Sequence, residues 1–490
     1  VAIRRHQGAS SADSMRQKLT VCVLVHCAMA LRVSVPMHTA ASVCRCNRVK
    51  CVAEMPPPRP EAFIGSTFGS NSAMFYRQGM LVLEDGTRLR GVSFGYEASV
   101  SGELVFTTGM VGYPESLTDP SYRGQLLVMT YPIVGNYGVP EDGEDEYGLP
   151  KFFESDKVQV AAVIVSDYSH HHSHWASRRS LSQWLVEQRV PALYGIDTRL
   201  LTKKIRAKGA LRAFIEFAPS VSLGNDDAQS SVGFEDPNLR NLAAEVSVSK
   251  PRVYGAGNTL KILAVDCGIK TNIIRSLVQR DCEVELVPWD TPLLPLMEGK
   301  DGLFLSNGPG NPANLDVTIG HIKAVMDAQQ AGTAPVKPIF GICLGNQLLG
   351  MAAGASTYKL PFGNRGQNQP VTNLLSDRCF ITPQNHGYAL DATQLPENWT
   401  PLFQNRNDRS NEGIMHATLP WFTAQFHPEA KSGPSDTSFL FDLFVGVMSE
   451  PTAPVRAALA SGKYEAPPPL PLTKVLLLGS GGLSIGQAGE

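Results

Sequence analysis

A chain of 490 residues is long enough for two or three domains, each with its own core. Hydrophobic residues make up 43% and charged residues 18%, the balance of globular protein, and a formal net charge of −2 offers no electrostatic argument for binding nucleic acid or a membrane surface. The longest apolar run, LTVCVLVHCAMAL (19–31), is shorter than the ~18 residues a membrane-spanning helix needs and contains a histidine.

The opening segment, 1–73, differs from the rest. Its first 60 residues hold nine Lys/Arg against two acids, with many Ser and Ala and the run PPPRP. Such an arginine-rich, acid-poor leader fits a transit peptide, and so a mitochondrial or plastid address. The alternative is sequence that lies upstream of a true start at Met74, which leaves the protein cytoplasmic. Five of the nine cysteines fall before residue 52 and the other four are scattered, which is no disulfide framework and suits a reducing compartment. CRCNRVKC (44–51) lacks the paired spacing of a zinc site, so no metal is expected there.

From Met74 the pattern becomes regular. MLVLEDGTRLRGVSFG reads as two strands around an Asp-Gly turn, and further strands follow at GELVFTTG, QLLVMTYPIVG and KVQVAAVIVSDY. Helices fit SRRSLSQWLVEQRV and DTRLLTKKIRAKG, the second capped by Asp197 or Thr198 and ended by Gly209. Residues 74–218 therefore form a mixed α/β domain, and the polar stretch beginning at 219 reads as a linker reaching to 258. Strands then alternate with helices from TLKILAVDCGIK onward, through CEVELVPW, GLFLSNGPG, LDVTIGHIKAVMDAQQ and VKPIFGIC. That alternation predicts a second α/β domain over 259–450, with a mainly parallel central sheet and ligands outside the carboxyl ends of its strands. A Pro-rich linker (451–473) precedes TKVLLLGSGGLSIGQAGE (474–490), which reads as the severed start of another domain. Its glycines do not match the dinucleotide-binding spacing.

GICLG (341–345) has the form of a nucleophile elbow, with Cys343 where hydrolases carry serine. The glycines let a strand turn sharply into a helix, which projects the sulfur into solvent at the positive end of the helix, where the thiolate is favoured. The competing reading is a small buried core residue. In QFHPEA (425–430) the proline biases His427 towards extended backbone, so His427 and Glu429 share a face and the carboxylate can orient the imidazole. His386, in a small polar turn between strands, is a rival base without an acidic neighbour. YSHHHSHW (168–175) reads as a polar surface loop in preference to a metal site.

Cys343, His427 and Glu429 together resemble the triad of class I glutamine amidotransferases. The segments EDGTRLRG, TTGMVGYPESLTDPSYRGQ, GIDTRLLTKKIR, KILAVDCGIK, LSNGPGNP, QNHGYAL and FHPEAKSGP resemble the glutaminase part of carbamoyl-phosphate synthetase, over about 74–450. The tail resembles the first strand and loop of the synthetase part, so the chain looks like the front of a fused polypeptide of eukaryotic type. The resemblance implies that Cys343 attacks the side-chain amide of L-glutamine, forms a thioester and releases ammonia, with His427 as base and then acid and Glu429 orienting it. It also implies that Ser121, Gly308, Gly310, Leu344, Gln347, Asn385, Gly387 and Tyr388 hold the substrate, with backbone amides near Gly310 and Leu344 as the oxyanion hole. No cofactor is implied for this portion; ATP and Mg2+ belong to the synthetase portion, which makes carbamoyl phosphate for pyrimidine or arginine synthesis. Asn346 stands where many relatives have histidine and Asn311 where aspartate is usual, which implies altered tuning. Ammonia-dependent members lack the nucleophilic cysteine, so Cys343 implies genuine glutamine use. A catalytically silent scaffold docking on the synthetase is the alternative, and an amidotransferase serving another acceptor is a third.

Overall fold

The computed structural model describes residues 77–217, 233–450 and 455–461. The leader 1–73 with its cysteine cluster, the polar stretch 218–232, most of the Pro-rich linker and the tail from 474 lie outside the described residues.

The first domain is built on a closed barrel of β1 (Gln78–Leu83), β2 (Arg88–Ser93), β3 (Val100–Thr107), β4 (Gln125–Met129), β5 (Ala162–Ile164), β6 (Ala192–Tyr194) and β7 (Leu211–Glu216), in the order β1-β7-β3-β4-β5-β6-β2. β3 to β6 run parallel and the other neighbours antiparallel. The Asp-Gly hairpin forms as the sequence predicts: Gly86 takes φ +85° and Asp85 accepts from the Thr87 amide at 3.1 Å. Period-2 alternation divides the strands between two cores. Leu104, Leu126, Val128 and Ile164 pack with Leu201 and Ile205 of helix Thr198–Lys208, whereas Val105, Leu127, Met129 and Val163 pack with Leu181, Trp184 and Leu185 of helix Leu181–Glu187. Asp197 caps the first of these helices through the Leu200 amide, as expected.

The second domain is a ten-stranded sheet: β8 (Arg252–Tyr254), β9 (Leu260–Asp266), β10 (Cys282–Pro288), β11 (Gly302–Leu305), β12 (Ile339–Ile342), β13 (Thr357–Asn373), β14 (Arg378–Leu390), β15 (Trp399–Asn405), β16 (Asn411–His416) and β17 (Trp421–Ala424). Its order is β8-β10-β9-β11-β12-β17-β16-β15-β13-β14. The five strands β10, β9, β11, β12 and β17 are parallel; the pairings outward from them are antiparallel. Helices Thr271–Val278 and Phe439–Ser449 cover one face through Ile262, Ala264 and Phe304, and helices Asp316–Gln330 and Leu344–Ala352 cover the other through Leu263, Val265 and Leu303. Both faces are thus buried, which is why the middle of these strands is mostly apolar.

Two expectations change. TPQNHGYAL is not a turn between strands: it lies within β14, paired to β13 across two register shifts. Within the segment read as a linker, Leu242–Val246 forms a short helix and Arg252–Tyr254 adds β8 to the sheet edge. A polar composition is compatible with edge positions, because only one side of the added segment is covered.

Candidate active site

The elbow is present and strained. Cys343 joins β12 to helix Leu344–Ala352 with φ 55° and ψ −103°, a conformation that costs a non-glycine residue about 1–3 kcal/mol. A Cβ on Gly341 would stand 2.6 Å from the Gly345 carbonyl oxygen, so the flanking glycines are required by backbone crossing backbone. The Cys343 amide is tied to the Ala424 carbonyl at 2.8 Å, which anchors the turn to β17. The sulfur does not stand out in open solvent as the sequence suggests: Cys343 is only 2% exposed and lines a small polar cavity. Residues of both domains close over it. Sγ lies 3.6 Å from Gln425 Nε2 and 3.6 Å from the Asn385 carbonyl oxygen.

His427 and Glu429 meet, though not by strand alternation. The chain turns at Pro428–Glu429, with the Ala430 amide bonded to the His427 carbonyl, and this turn brings Glu429 Oε1 within 2.6 Å of His427 Nδ1. The other imidazole nitrogen, Nε2, is buried and has no partner at hydrogen-bond distance among the described residues, although Cys343 is near enough to act on the ring. Burial disfavours the imidazolium, but the Glu429 carboxylate and then Cys343 outweigh it and push His427 up to about 10. Glu429 experiences the opposite balance: burial raises it, while Lys270 and His427 bring it down to about 2. Lys270 Nζ donates to Glu429 Oε1 at 2.9 Å and to the Ala430 carbonyl at 3.2 Å, and Asn272 Nδ2 donates to the Glu429 carbonyl. The neighbouring carboxylates Glu429, Glu154 and Asp119 raise Lys270 against the desolvation that lowers it.

Every residue assigned to the substrate lines the cavity that Cys343 lines. Ser121 arrives from the barrel domain, its amide bonded to Asp119 Oδ1 and its hydroxyl accepting from Asn307 Nδ2 at 3.0 Å. Gly308 has no room for a side chain, since a Cβ would press on the Cys267 carbonyl, and Gly310 sits at φ +90°. Leu344 opens the helix, so its amide has no partner within that helix. Gln347 Nε2 donates to the Tyr388 carbonyl at 2.8 Å and to Gln425 Oε1 at 3.1 Å. Asn385 Nδ2 donates to Asp119 Oδ2, and Gly387 and Tyr388 continue the same wall. His427 lines a second cavity, which shares Asn385 with the first and is also bounded by Lys270 and Asp119.

Several contributors escape sequence reasoning. Gln425, within the quoted QFHPEA, has its Oε1 held by Asn346 Nδ2 at 2.8 Å while its Nε2 faces the sulfur. Asn346 therefore acts behind the wall, through Gln425, whereas Asn311 only caps a local turn through the Ala313 amide. Lys270, Asn307 and Asp119 lie within the quoted segments KILAVDCGIK, LSNGPGNP and TTGMVGYPESLTDPSYRGQ, but only contact reveals the role of each. His386 does have an acidic neighbour, Glu412, 3.6 Å from Nε2. Its ring nitrogens face Gln384 and the Tyr388 carbonyl, which leaves it holding β14 in place.

Two family models match the chain: residues 81–215 match the CPSase domain of the carbamoyl-phosphate synthase small chain, and residues 263–447 match class I glutamine amidotransferase. Among similar proteins, a mitochondrial carbamoyl-phosphate synthase [ammonia] of Aquarana catesbeiana is 51% identical over 412 residues, covering 84% of this chain and 26% of the relative. The Multifunctional protein CAD of Squalus acanthias is 49% identical over 427 residues, covering 84% of this chain and 18% of the relative. The Multifunctional protein pyr1-3 of Dictyostelium discoideum is 49% identical over 430 residues, 84% and 19%. The chain thus spans between about a fifth and a quarter of the length of these curated relatives. With both domain models in sequence order, and an elbow cysteine at the cavity they enclose, the chain belongs to the carbamoyl-phosphate synthase small-chain family of class I glutamine amidotransferases.

Proposed function

We propose that this chain is the glutamine-hydrolysing portion of a carbamoyl-phosphate synthase and supplies ammonia to a synthetase portion of the same polypeptide. The observation that carries the reading is a buried imidazole fixed by a carboxylate at 2.6 Å, its other nitrogen without a partner among the described residues, coupled in charge to an elbow cysteine. L-glutamine enters the first cavity with its carboxamide towards Cys343. The sulfur attacks the amide carbon, and the developing oxyanion is met by the amides near Gly310 and Leu344, a contribution of roughly 3 kcal/mol per donor. His427, raised to about 10, holds a proton at neutral pH and gives it to the departing nitrogen, so that ammonia and a γ-glutamyl thioester result. Water then attacks the thioester, His427 takes a proton from it and returns it to the sulfur, and glutamate leaves. The second cavity, on the His427 side, offers ammonia a way out that does not retrace the substrate's entry.

The names of some relatives specify ammonia, and others are multifunctional proteins. The intact cysteine, histidine and glutamate favour glutamine for this chain. ATP and Mg2+ would be held by the synthetase portion, and the leader together with the mitochondrial relatives favours a mitochondrial address over a cytoplasmic or plastid one. Glutamate release from glutamine by the purified chain is the direct test. No release above background would reduce the chain to a docking scaffold.

Gln425→Leu leaves the side-chain amides of Asn346 and Gln347 without a shared acceptor and takes a donor from the sulfur. Glutamine turnover is expected to fall about tenfold, from one buried hydrogen-bond network broken at roughly 1–3 kcal/mol. Steady-state kinetics with the wild-type chain alongside measures it.

A further inference from the structure

The stretch FFESDK (152–157) carries a buried carboxylate that the chemistry above does not use. Glu154 is 0% exposed and comes from the barrel domain, where its amide donates to Thr118 Oγ1 at 2.9 Å. Its carbonyl accepts from the Thr271 amide at 2.9 Å, and its Oε2 accepts from the Asn272 amide at 3.2 Å. Those amides open helix Thr271–Val278 and have no acceptor within it. Lys270, which precedes the helix, offers no side-chain cap, so a residue of the other domain does the capping.

The same turn holds the triad. Lys270 Nζ donates to Glu429 Oε1, Asn272 Nδ2 donates to the Glu429 carbonyl, and Glu429 orients His427. One buried ammonium, Lys270, thus stands between two buried carboxylates, Glu429 of its own domain and Glu154 of the barrel domain. Arg275, one turn further on, joins Asn272 Oδ1 to Asp145 Oδ2 and has its counter-charge there. Glu154 is less well matched: its Oε1 is buried without a hydrogen-bond partner among the described residues. The charges that act on it are Lys270 at the helix start and Glu429 and Lys431 in the loop after β17; Glu115 of helix Tyr113–Thr118 faces both lysines. Burial pushes the Glu154 carboxyl up to about 7; Lys270, Lys431 and the Asn272 amide favour the anion, and Glu429 opposes it.

We propose that Glu154 is a positioning residue for the triad: as the carboxylate it pins the turn 270–272 so that Lys270 and Asn272 meet Glu429, and on protonation it slackens that hold and slows glutamine hydrolysis. The assignment rests on the reading of Cys343, His427 and Glu429 as a glutaminase triad. An anion is favoured at the amides that open a helix, and a neutral acid there keeps the hydrogen bond but loses its charge assistance. Glu154 lines neither cavity, so it acts on the chemical steps through Lys270 and Glu429 and not on the binding of glutamine.

The test is kcat for glutamine against pH in the full chain, wild type beside Glu154→Gln, which keeps an oxygen for the Asn272 amide and cannot ionise. The ratio of wild type to variant cancels every ionisation the two share. It is expected to be about twofold at about pH 6 and about tenfold at about pH 8, with KM moved less than about twofold. A ratio that stays constant over that range means packing only and overturns the proposal. If Glu154→Gln does not fold, Glu154→Asp carries the comparison: its step in kcat should be displaced from that of wild type by about 0.3 pH units or more, and an unmoved step overturns the proposal. If wild type hydrolyses no glutamine, the proposed function falls, and hydrogen exchange of the segment 268–275 decides this point separately. Protection of the Asn272 amide, corrected for its intrinsic exchange rate, should rise about tenfold from about pH 6 to about pH 8 in wild type and not in Glu154→Gln. An equal change in both, or none in either, ends the assignment.

Discussion

Cys343→Ala is expected to lower glutamine hydrolysis by at least about 10⁴-fold, because it removes the elbow sulfur that forms the covalent intermediate. In the longer polypeptide, carbamoyl phosphate synthesis from added ammonia should survive, since the loss is confined to ammonia production. His427→Asn should match it within an order of magnitude, as residues that act as one unit are not additive in their losses. Stability separates the catalytic explanation from misfolding. Cys343 sits at φ 55°, strain that a glycine does not incur, so Cys343→Gly should be inactive and yet more stable than wild type by about 1 kcal/mol or more. Chemical denaturation alongside glutamate release measures both. Retained hydrolysis by either cysteine variant would remove the sulfur from the mechanism.

Lys270→Met is expected to destabilise the protein by about 3–5 kcal/mol, the usual cost of taking one partner from a buried ion pair. Glu429 Oε1 would keep His427 and lose its cation, in a side chain that is fully buried. The pH dependence follows from the two shifts. Glu429 is lowered from 4.5 to about 2, so its contribution to stability is fully present above 4.5 and is lost as pH falls through 2. His427 is raised from 6.5 to about 10, so its contribution is fully present below 6.5 and is lost as pH rises through 10. Together the pair stabilises most between about 4.5 and 6.5. Without Lys270 the Glu429 carboxyl is held down by His427 alone, so the acid loss should begin at a higher pH than in wild type. Urea unfolding across the pH range follows this directly. An unchanged acid limb would show that Lys270 does not govern Glu429.

The role of the barrel domain also becomes physical. Ser121, Asp119 and Glu103 come from it, and each meets a residue of the amidotransferase domain at the cavity: Asn307, Asn385 and Lys359. Glu154, likewise from the barrel domain, accepts the Thr271 and Asn272 amides at the start of the helix whose first turn holds Glu429. The amidotransferase domain thus supplies Cys343, His427 and Glu429, and the barrel domain completes the walls around them.

What the sequence determined by itself was local: the hairpin at Asp85–Gly86, the cap at Asp197, the alternation of strands and helices, and the glycine-flanked elbow at Cys343, all set by short-range sterics and periodicity. It also placed a carboxylate two residues from His427, although the contact arises in a turn and not along a strand. Tertiary structure alone decided the closure of the barrel, the burial of the sulfur, the coupling of Lys270 to Glu429, the contact of Gln425 with Cys343 and the gathering of Arg365 and Glu103 in one cavity. Those features depend on which distant segments share a wall, and the charge a side chain meets there is set by burial and neighbours that no local pattern encodes.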